Sequence, residues 1–403
     1  MLLQLTADQE ERSNRIDQLQ TEMMAGQGPD IFILPCDDGF GFNETRLIEN
    51  VEKGMVTGLF ADLSQLYDQD ETLEKDLLLE KVMDAGMMDG KRYILPLRYQ
   101  YPIILALEDE LQGAGLELSE LAQNSETFLS TIIAQEGNAW HVSGANVFAA
   151  NLSNVFPSLC DYNTGEVYLD EETLTDTLSQ YMELLSTLDQ ESIEADGVVW
   201  PYYLSPDRPS DTLFLSDDLF MYLDVAYAQY QELVAAPFAA QDGSIVANVS
   251  YYGAVSANCA ALEEAYEFLK LLLSKEVQSG GALEYNGASY DASEWGTAHG
   301  WPVRSDITAA ELRAAVPQTP LAHGMVEDLQ QPVEGEPAPM FPEEFFTEAY
   351  ERIVEVRPYT LLDGSFSRAA MSLYDFATFT PNTEQMDEVA EELLRQLETE
   401  VAE

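Results

Sequence analysis

Positive charge is what this chain of 403 residues has least of. Eighteen Lys and Arg stand against 73 Asp and Glu, a formal charge of −55 at pH 7. A surface so acidic repels phosphate backbones and anionic lipid, which excludes nucleic acid as a partner. Lys and Arg are absent altogether from 99 to 207 and again from 209 to 269. That half of the chain offers almost no cation to a bound phosphate or carboxylate. Histidine and cysteine are also sparse: His141, His299 and His323, and Cys36, Cys160 and Cys259, follow no metal-ligand spacing and no disulfide framework. No metal or other cofactor is expected. No apolar run reaches the roughly 18 residues of a membrane span, and the first residues lack a basic-then-apolar leader pattern. Gly-x-Ser-x-Gly, a Gly-rich phosphate loop and His-Glu-x-x-His are missing as well.

What is present is enough apolar material to fold, 46% hydrophobic and 10% aromatic residues, in a length that suits two or three compact domains. The pattern alternates between helix and strand. Ile16, Leu19, Met23 and Met24 predict a helix over Asp8–Ala25 that stops at Gly26, and Ile31–Leu34 reads as a buried parallel strand after the Gln27–Asp30 turn. Leu2–Leu5 reads as a strand before that helix. Leu73, Leu77, Leu78 and Val82 mark another helix, Asp89-Gly90 a turn, and Tyr93–Pro96 a strand whose proline suits an edge or an end. Beyond Leu105, helices are expected near Leu118–Gln135 and Ala145–Leu152. Asp170 caps a further one, striped by Leu174, Leu178, Tyr181, Leu185 and Leu188. Val198–Ser216 reads as a loop, Leu219–Val225 as a strand and Ile245–Val255 as an extended run. A helix follows with Leu262, Ala265, Leu269, Leu272 and Leu273. Gly280–Gly300 and Glu327–Pro342 read as irregular, and Met386, Val389, Leu393 and Leu397 close the chain with a helix opened by Asn382 or Thr383.

Five blocks in this order resemble one family. They are the helix ending in Ala25-Gly26 with the Pro29-Asp30-Ile31 strand entry, Gly58–Leu63, Met88–Pro96, the Asp161–Asp170 turn before a helix, and Gly253–Asn258 with the Ala265–Glu276 helix. Together they resemble the extracellular solute-binding proteins of ATP-binding-cassette importers, the maltose-binding-protein-like carbohydrate receptor group. The resemblance implies an α/β chain with the two-lobe, periplasmic-binding-protein-like (type II) fold and a hinge. Lobe one is expected from 1–100 and 254–302, and lobe two from 101–253 and 303–403, with crossings near Arg98–Leu105, Tyr251–Val255 and Gly300–Asp306. Only 28 residues precede Pro29, so the first βα unit of the family is expected to be lacking.

The same resemblance implies a monomeric binding protein, not an enzyme, that closes around a small ligand and delivers it to permease subunits. Its precursor would be exported and anchored by lipid outside the cell. A ligand sensor or surface adhesin on the same fold is the alternative, and a secreted acidic glycoside hydrolase a further one, because so many carboxylates always supply an acid/base pair. Sugars take aromatic faces against their C–H surfaces and planar polar groups at their hydroxyls. By resemblance, Asp37 stands where the family places a hydroxyl-binding aspartate, with Asp38 its neighbour; Asp37-Asp38-Gly39 also reads as an Asx turn. Tyr227 matches a stacking aromatic, or packs in the core. Arg98, Tyr99 and Tyr101 fall at the first crossing and Tyr251 and Tyr252 at the second, to line the cleft or to pack. Trp140 and Trp295 lie in irregular sequence and complete the candidates. The shortage of cations favours a neutral oligosaccharide, with a cationic ligand such as a polyamine second.

Overall fold

The computed structural model describes residues 9–36, 47–134, 141–143, 152–162, 164–187, 212–216, 233–280, 282–285, 288–291, 300–308, 311, 343–358, 361–375 and 380–402. The strands of its two main sheets are β1 (Ile31–Pro35), β2 (Ile94–Gln100), β3 (Ile103–Leu107), β4 (His141–Ser143), β5 (Thr212–Ser216), β6 (Leu233–Pro237), β7 (Ile245–Val255), β8 (Trp301–Pro302) and β9 (Ile353–Pro358). The first sheet runs β1-β7-β2-β8, with β9 also on β7, and the second runs β6-β3-β5-β4.

The eleven residues of β7 form the spine of the first sheet. Along one edge, Ile245–Val249 pair in parallel with β9 and Tyr251–Val255 pair antiparallel with β1; along the other edge lies β2. The expected parallel orientation of β1 is thus corrected to antiparallel. An unbroken apolar run says that both faces of a strand are covered and leaves its direction open. β2 extends beyond Pro96, the expected end, and all seven of its residues are buried. β8 pairs only with Tyr99 and Arg98, so Pro96 lies where β2 is bordered by β7 alone among the named strands. A missing N–H is tolerated there.

Two apolar cores follow from the two sheets. One gathers Phe32, Met55, Phe60, Leu63, Val82, Leu95, Val249, Ala254, Leu269, Trp301, Ala349 and Ile353. The other gathers Leu111, Phe128, Phe156, Leu174, Leu178, Tyr181, Phe238, Phe366, Leu393 and Leu397. The chain passes between them at Tyr101–Ile104, at Phe238–Ile245 and between Val356 and Phe366. All of β7 and the pair β8 and β9 belong to the first sheet.

Local sequence accounts for the helices. Ala265, Leu269 and Leu273 of the stripe after Ala261 are buried, as are Met386, Leu393 and Leu397 of the last helix, Met386–Ala402. That helix packs against Glu171–Thr187, which Asp170 opens by accepting the Thr173 N–H at 2.8 Å. Leu174, Leu178 and Tyr181 of the expected stripe are buried, joined by Met182 and Leu184. The helix expected over 118–135 divides into Leu118–Leu121 and Ser125–Ile133, because Asn124 takes the N-cap position and accepts the Thr127 N–H at 2.7 Å. The helix expected around Leu73–Val82 is a 3-10 turn, Lys75–Leu77, and a short helix, Glu80–Asp84. Thr212–Ser216, expected in a loop, is strand β5, held between β3 and β4. The expected elements at 2–5, 219–225 and 327–342 lie outside the described residues, as does all of the helix expected over Ala145–Leu152 except Leu152, which opens the 3-10 turn Leu152–Val155.

Candidate functional site

The junction between the lobes is built first by two neighbouring passages of backbone. Tyr101-Pro102 links β2 to β3, and Phe238–Ser244 links β6 to β7. They run antiparallel, with Pro237 opposite Ile103 and Asn248 opposite Gln100, and the Phe238 N–H donates to the Pro102 carbonyl at 2.7 Å. Proline restricts Tyr101 to extended backbone and contributes no donor of its own, so this link is straight and lightly bonded. The second passage turns at Ala240–Ser244, where the Asp242 carboxylate accepts the Ser244 N–H at 2.9 Å, an Asx turn.

Polar side chains then bridge the lobes. The Arg352 guanidinium, at the end of the helix Glu343–Arg352, donates to the carbonyls of Ala122 at 3.2 Å and Gly243 at 2.9 Å. Burial lowers its pKa, with Glu348 opposing. Asn154 reaches Asn248, Val246 and Arg357 from the opposite lobe. Tyr162 lies on the hairpin formed by Cys160-Asp161 and Glu166-Val167, and its ring packs against the first core. Asn50 donates to its hydroxyl at 3.3 Å and to the Glu400 carboxylate. Burial and the nearby Glu52 carboxylate raise the Tyr162 phenol, and burial followed by the same carboxylate pushes the Cys160 thiol up to about 12. A thiol held protonated in this way is unreactive.

The register brings part of the expected constellation together. Pro35, Tyr251 and Arg98 form one row across β1, β7 and β2, and the Cys36 N–H donates to the Ser250 carbonyl at 2.8 Å. The described end of β1 therefore lies beside Tyr251. Tyr251 is half-buried. Irregularities in the β7–β2 pairing on either side of it break the simple alternation of faces.

The other described candidates are inside the core. Arg98 is 0% exposed; it donates to the Val277 carbonyl at 3.5 Å, and burial lowers its pKa to about 9. Tyr101 stacks on Trp301 with ring centroids 5.8 Å apart, and Tyr99 lies 6.2 Å from Tyr101. Tyr252 meets the edge of Phe60 at 6.2 Å. Burial raises the phenol pKa of all three tyrosines, with the Tyr350 phenol also acting on Tyr99, that of Tyr99 on Tyr101 and the Cys36 thiol on Tyr252. Arg98, Tyr99, Tyr101 and Tyr252 thus present structural packing in this arrangement, and Tyr251 alone of the five described candidates keeps partial exposure. Asp37, Asp38, Trp140, Tyr227 and Trp295 lie outside the described residues. Sequence reasoning missed Asn154, Asn248, Arg352 and Arg357. The one available signal was Asn248, an amide inside the apolar run Ile245–Val255. Among the described residues no group of three or more His, Cys, Asp or Glu is placed to hold a metal, and no helix is long and apolar enough to cross a membrane.

Neither a protein-family model nor a curated protein matches the chain. Solved structures do. An extracellular solute-binding protein family 1 from Alicyclobacillus acidocaldarius superposes with a TM-score of 0.59 at 14% identity, over 96% of this chain and 87% of that one. A solute-binding protein of an ABC transporter from Agrobacterium radiobacter K84, in complex with ribitol, gives 0.57 at 14% identity, over 95% and 89%. The GacH receptor of Streptomyces glaucescens, solved without ligand and with acarbose, gives 0.53 at 14% identity, over 95% and 87%. With these likenesses spanning nearly the whole length, and two sheets with separate cores joined by crossing segments, the chain has the two-lobe, periplasmic-binding-protein-like fold of the extracellular solute-binding proteins.

Proposed function

We propose that this chain is the binding protein of an ABC importer and holds a neutral carbohydrate between its lobes. The observation that carries this reading is the pair of separate cores, one on each side of the Tyr101-Pro102 and Phe238–Ser244 links. A ligand held from both sides favours the closed arrangement by its differential affinity for it, and no bond need be broken. Neighbours of this fold in complex with ribitol and acarbose support a polyhydroxylated ligand. The absence of Lys and Arg from 99 to 207 and from 209 to 269 supports a neutral one. Tyr251, in register with Pro35 at the end of β1, supplies an aromatic face. Asp37 and Asp38 supply hydroxyl acceptors, and Trp140, Tyr227 and Trp295 further stacking surfaces. On this reading the protein works as a monomer outside the cell, anchored by lipid, and hands its ligand to permease subunits.

Titration calorimetry against ribitol, maltotriose and acarbose, with glucose 6-phosphate and spermidine as charged comparators and product analysis of each mixture, tests the reading. Binding of a neutral compound without turnover is expected. Binding confined to the phosphate ester or the amine would overturn the ligand class, and release of cleaved sugar would overturn the binding-protein reading.

A further inference from the structure

Asn154 sits on the 3-10 turn Leu152–Val155, whose Val155 belongs, with the adjoining Phe156, to the core of the second lobe. Its amide is 2% exposed and turned toward the sheet of the first lobe. The Oδ1 atom accepts from Asn248 Nδ2 at 3.2 Å and from Arg357 Nη2 at 3.5 Å, and Nδ2 donates to the Val246 carbonyl at 3.3 Å. Asn248 and Arg357 are register partners on β7 and β9, and Gln100 pairs with Asn248 from β2. All are buried, at 1%, 7% and 5% exposure. Arg357 also donates to Glu355 on its own strand at 3.3 Å. A polar row therefore crosses the sheet, and an amide from the other lobe meets it.

The chemistry of this contact differs from that of either core. Apolar surfaces hold each other through small sliding motions, because their attraction is non-directional. Amide hydrogen bonds of 3.2–3.5 Å are already long, and a shift of about an ångström removes them together. Asn248 Oδ1 is buried and accepts no hydrogen bond in this arrangement. It recovers its solvation once the lobes part, which offsets part of what the contact contributes.

We infer that the Asn154–Asn248–Arg357 cluster is a polar latch that sets how much of the protein occupies this arrangement of the lobes. The inference rests on the proposed hinge-closing function. A first-lobe row left without the Asn154 amide keeps its desolvation and loses its partner, so the arrangement seen here loses population. The apparent affinity of the cleft changes by the same factor.

The test uses the full chain without ligand. Small-angle X-ray scattering of the Asn154→Ala variant is expected to show a radius of gyration shifted from that of the parent. Hydrogen exchange at Leu95 and Leu178, one in each core, is expected to stay unchanged. Asn248→Ala removes the unsatisfied acceptor together with one donor and is expected to give a smaller shift. The double variant is expected to fall short of the sum of the two single shifts. An unchanged radius in both single variants would overturn the latch, since the lobes would then be held elsewhere. Accelerated exchange at Leu95 or Leu178 would overturn it too, by making Asn154 a support of the fold. Because no ligand is present, a failure of carbohydrate binding would leave these outcomes readable on their own.

Discussion

Gly300→Ala is expected to be among the most damaging single-methyl additions in this protein. Gly300 enters β8 with φ at +111°, and a Cβ built there would lie 2.7 Å from the Tyr99 carbonyl oxygen, with Ser250 Oγ closer still. Tyr99 is in register with Trp301 and also with Val249, so its carbonyl is fixed by strands on both sides and has little room to give. Backbone strain for a residue with a Cβ in this region amounts to about 1–3 kcal/mol. Overpacking against fixed backbone adds about 1–3 kcal/mol more. The sum, about 2–6 kcal/mol, is a large share of the roughly 5–15 kcal/mol that holds a typical domain folded. Gly90→Ala is the matched control, because Gly90 has φ at +72° with nothing within 4 Å of the added Cβ. Its left-handed cost of about 1–2 kcal/mol is partly offset by the lower entropy of the unfolded chain. Urea unfolding followed by circular dichroism, fitted with one transition per lobe, reads both variants. The loss in Gly300→Ala should fall in the transition of the first lobe and exceed that of Gly90→Ala by about 2 kcal/mol or more. Equal losses would refute the steric argument and leave only the dihedral one.

Other perturbations test the two cores and the site separately. Phe128 is 0% exposed and meets Phe238 edge-on at 5.3 Å, so Phe128→Ala should cost about 3–5 kcal/mol in the second-lobe transition of the same urea curves. Asn124→Ala removes the cap on Ser125–Ile133 and should cost about 1 kcal/mol, measured as a lower melting temperature. Burial pushes the Asp70 carboxyl up, but donors from Thr72, Lys270 and the Leu73 backbone outweigh it and hold the pKa well below the ordinary carboxylate range. Its contribution is therefore complete above the unfolded pKa and disappears as pH falls through the folded one. Asp70→Asn should lose stability at pH 7 and show a flatter acid limb in a stability–pH series; an acid limb parallel to the parent's would contradict this. Tyr251→Ala should weaken calorimetric binding of the carbohydrate with a small stability loss, whereas Tyr252→Ala, which empties a site between Phe60 and the first sheet, should cost about 3–5 kcal/mol. The reverse ranking of the two tyrosines would show that the ligand reading of Tyr251 is mistaken.

Local chemistry is legible along the chain because it repeats over short windows. The stripes on the helices after Asp170, Ala261 and Asn382 recur every three to four residues, and the apolar runs Ile31–Leu34 and Ile245–Val255 mark buried strands, so these elements follow from sequence alone. Charge is equally local to read, and the near absence of cations from 99 to 269 limits ligand chemistry before any coordinate is known. Direction and partnership are different. β1 pairs antiparallel with a strand more than two hundred residues later, and no hydrophobic period encodes that choice, which depends on what else can cover the same sheet edge. The place of β7 is equally long-range: it pairs with β1, β2 and β9 at once, and its length commits 245–255 to the first sheet. Tyr251 and Tyr252 are adjacent and chemically identical in sequence, yet the irregular pairing around them leaves one half-exposed and seals the other against Phe60. Asn154 and Asn248, ninety-four positions apart, form a contact that neither residue's neighbours announce. Sequence determined the striped helices and the apolar strands; long-range packing decided which side chains face the junction, because burial belongs to the assembled sheets and not to any one segment of chain.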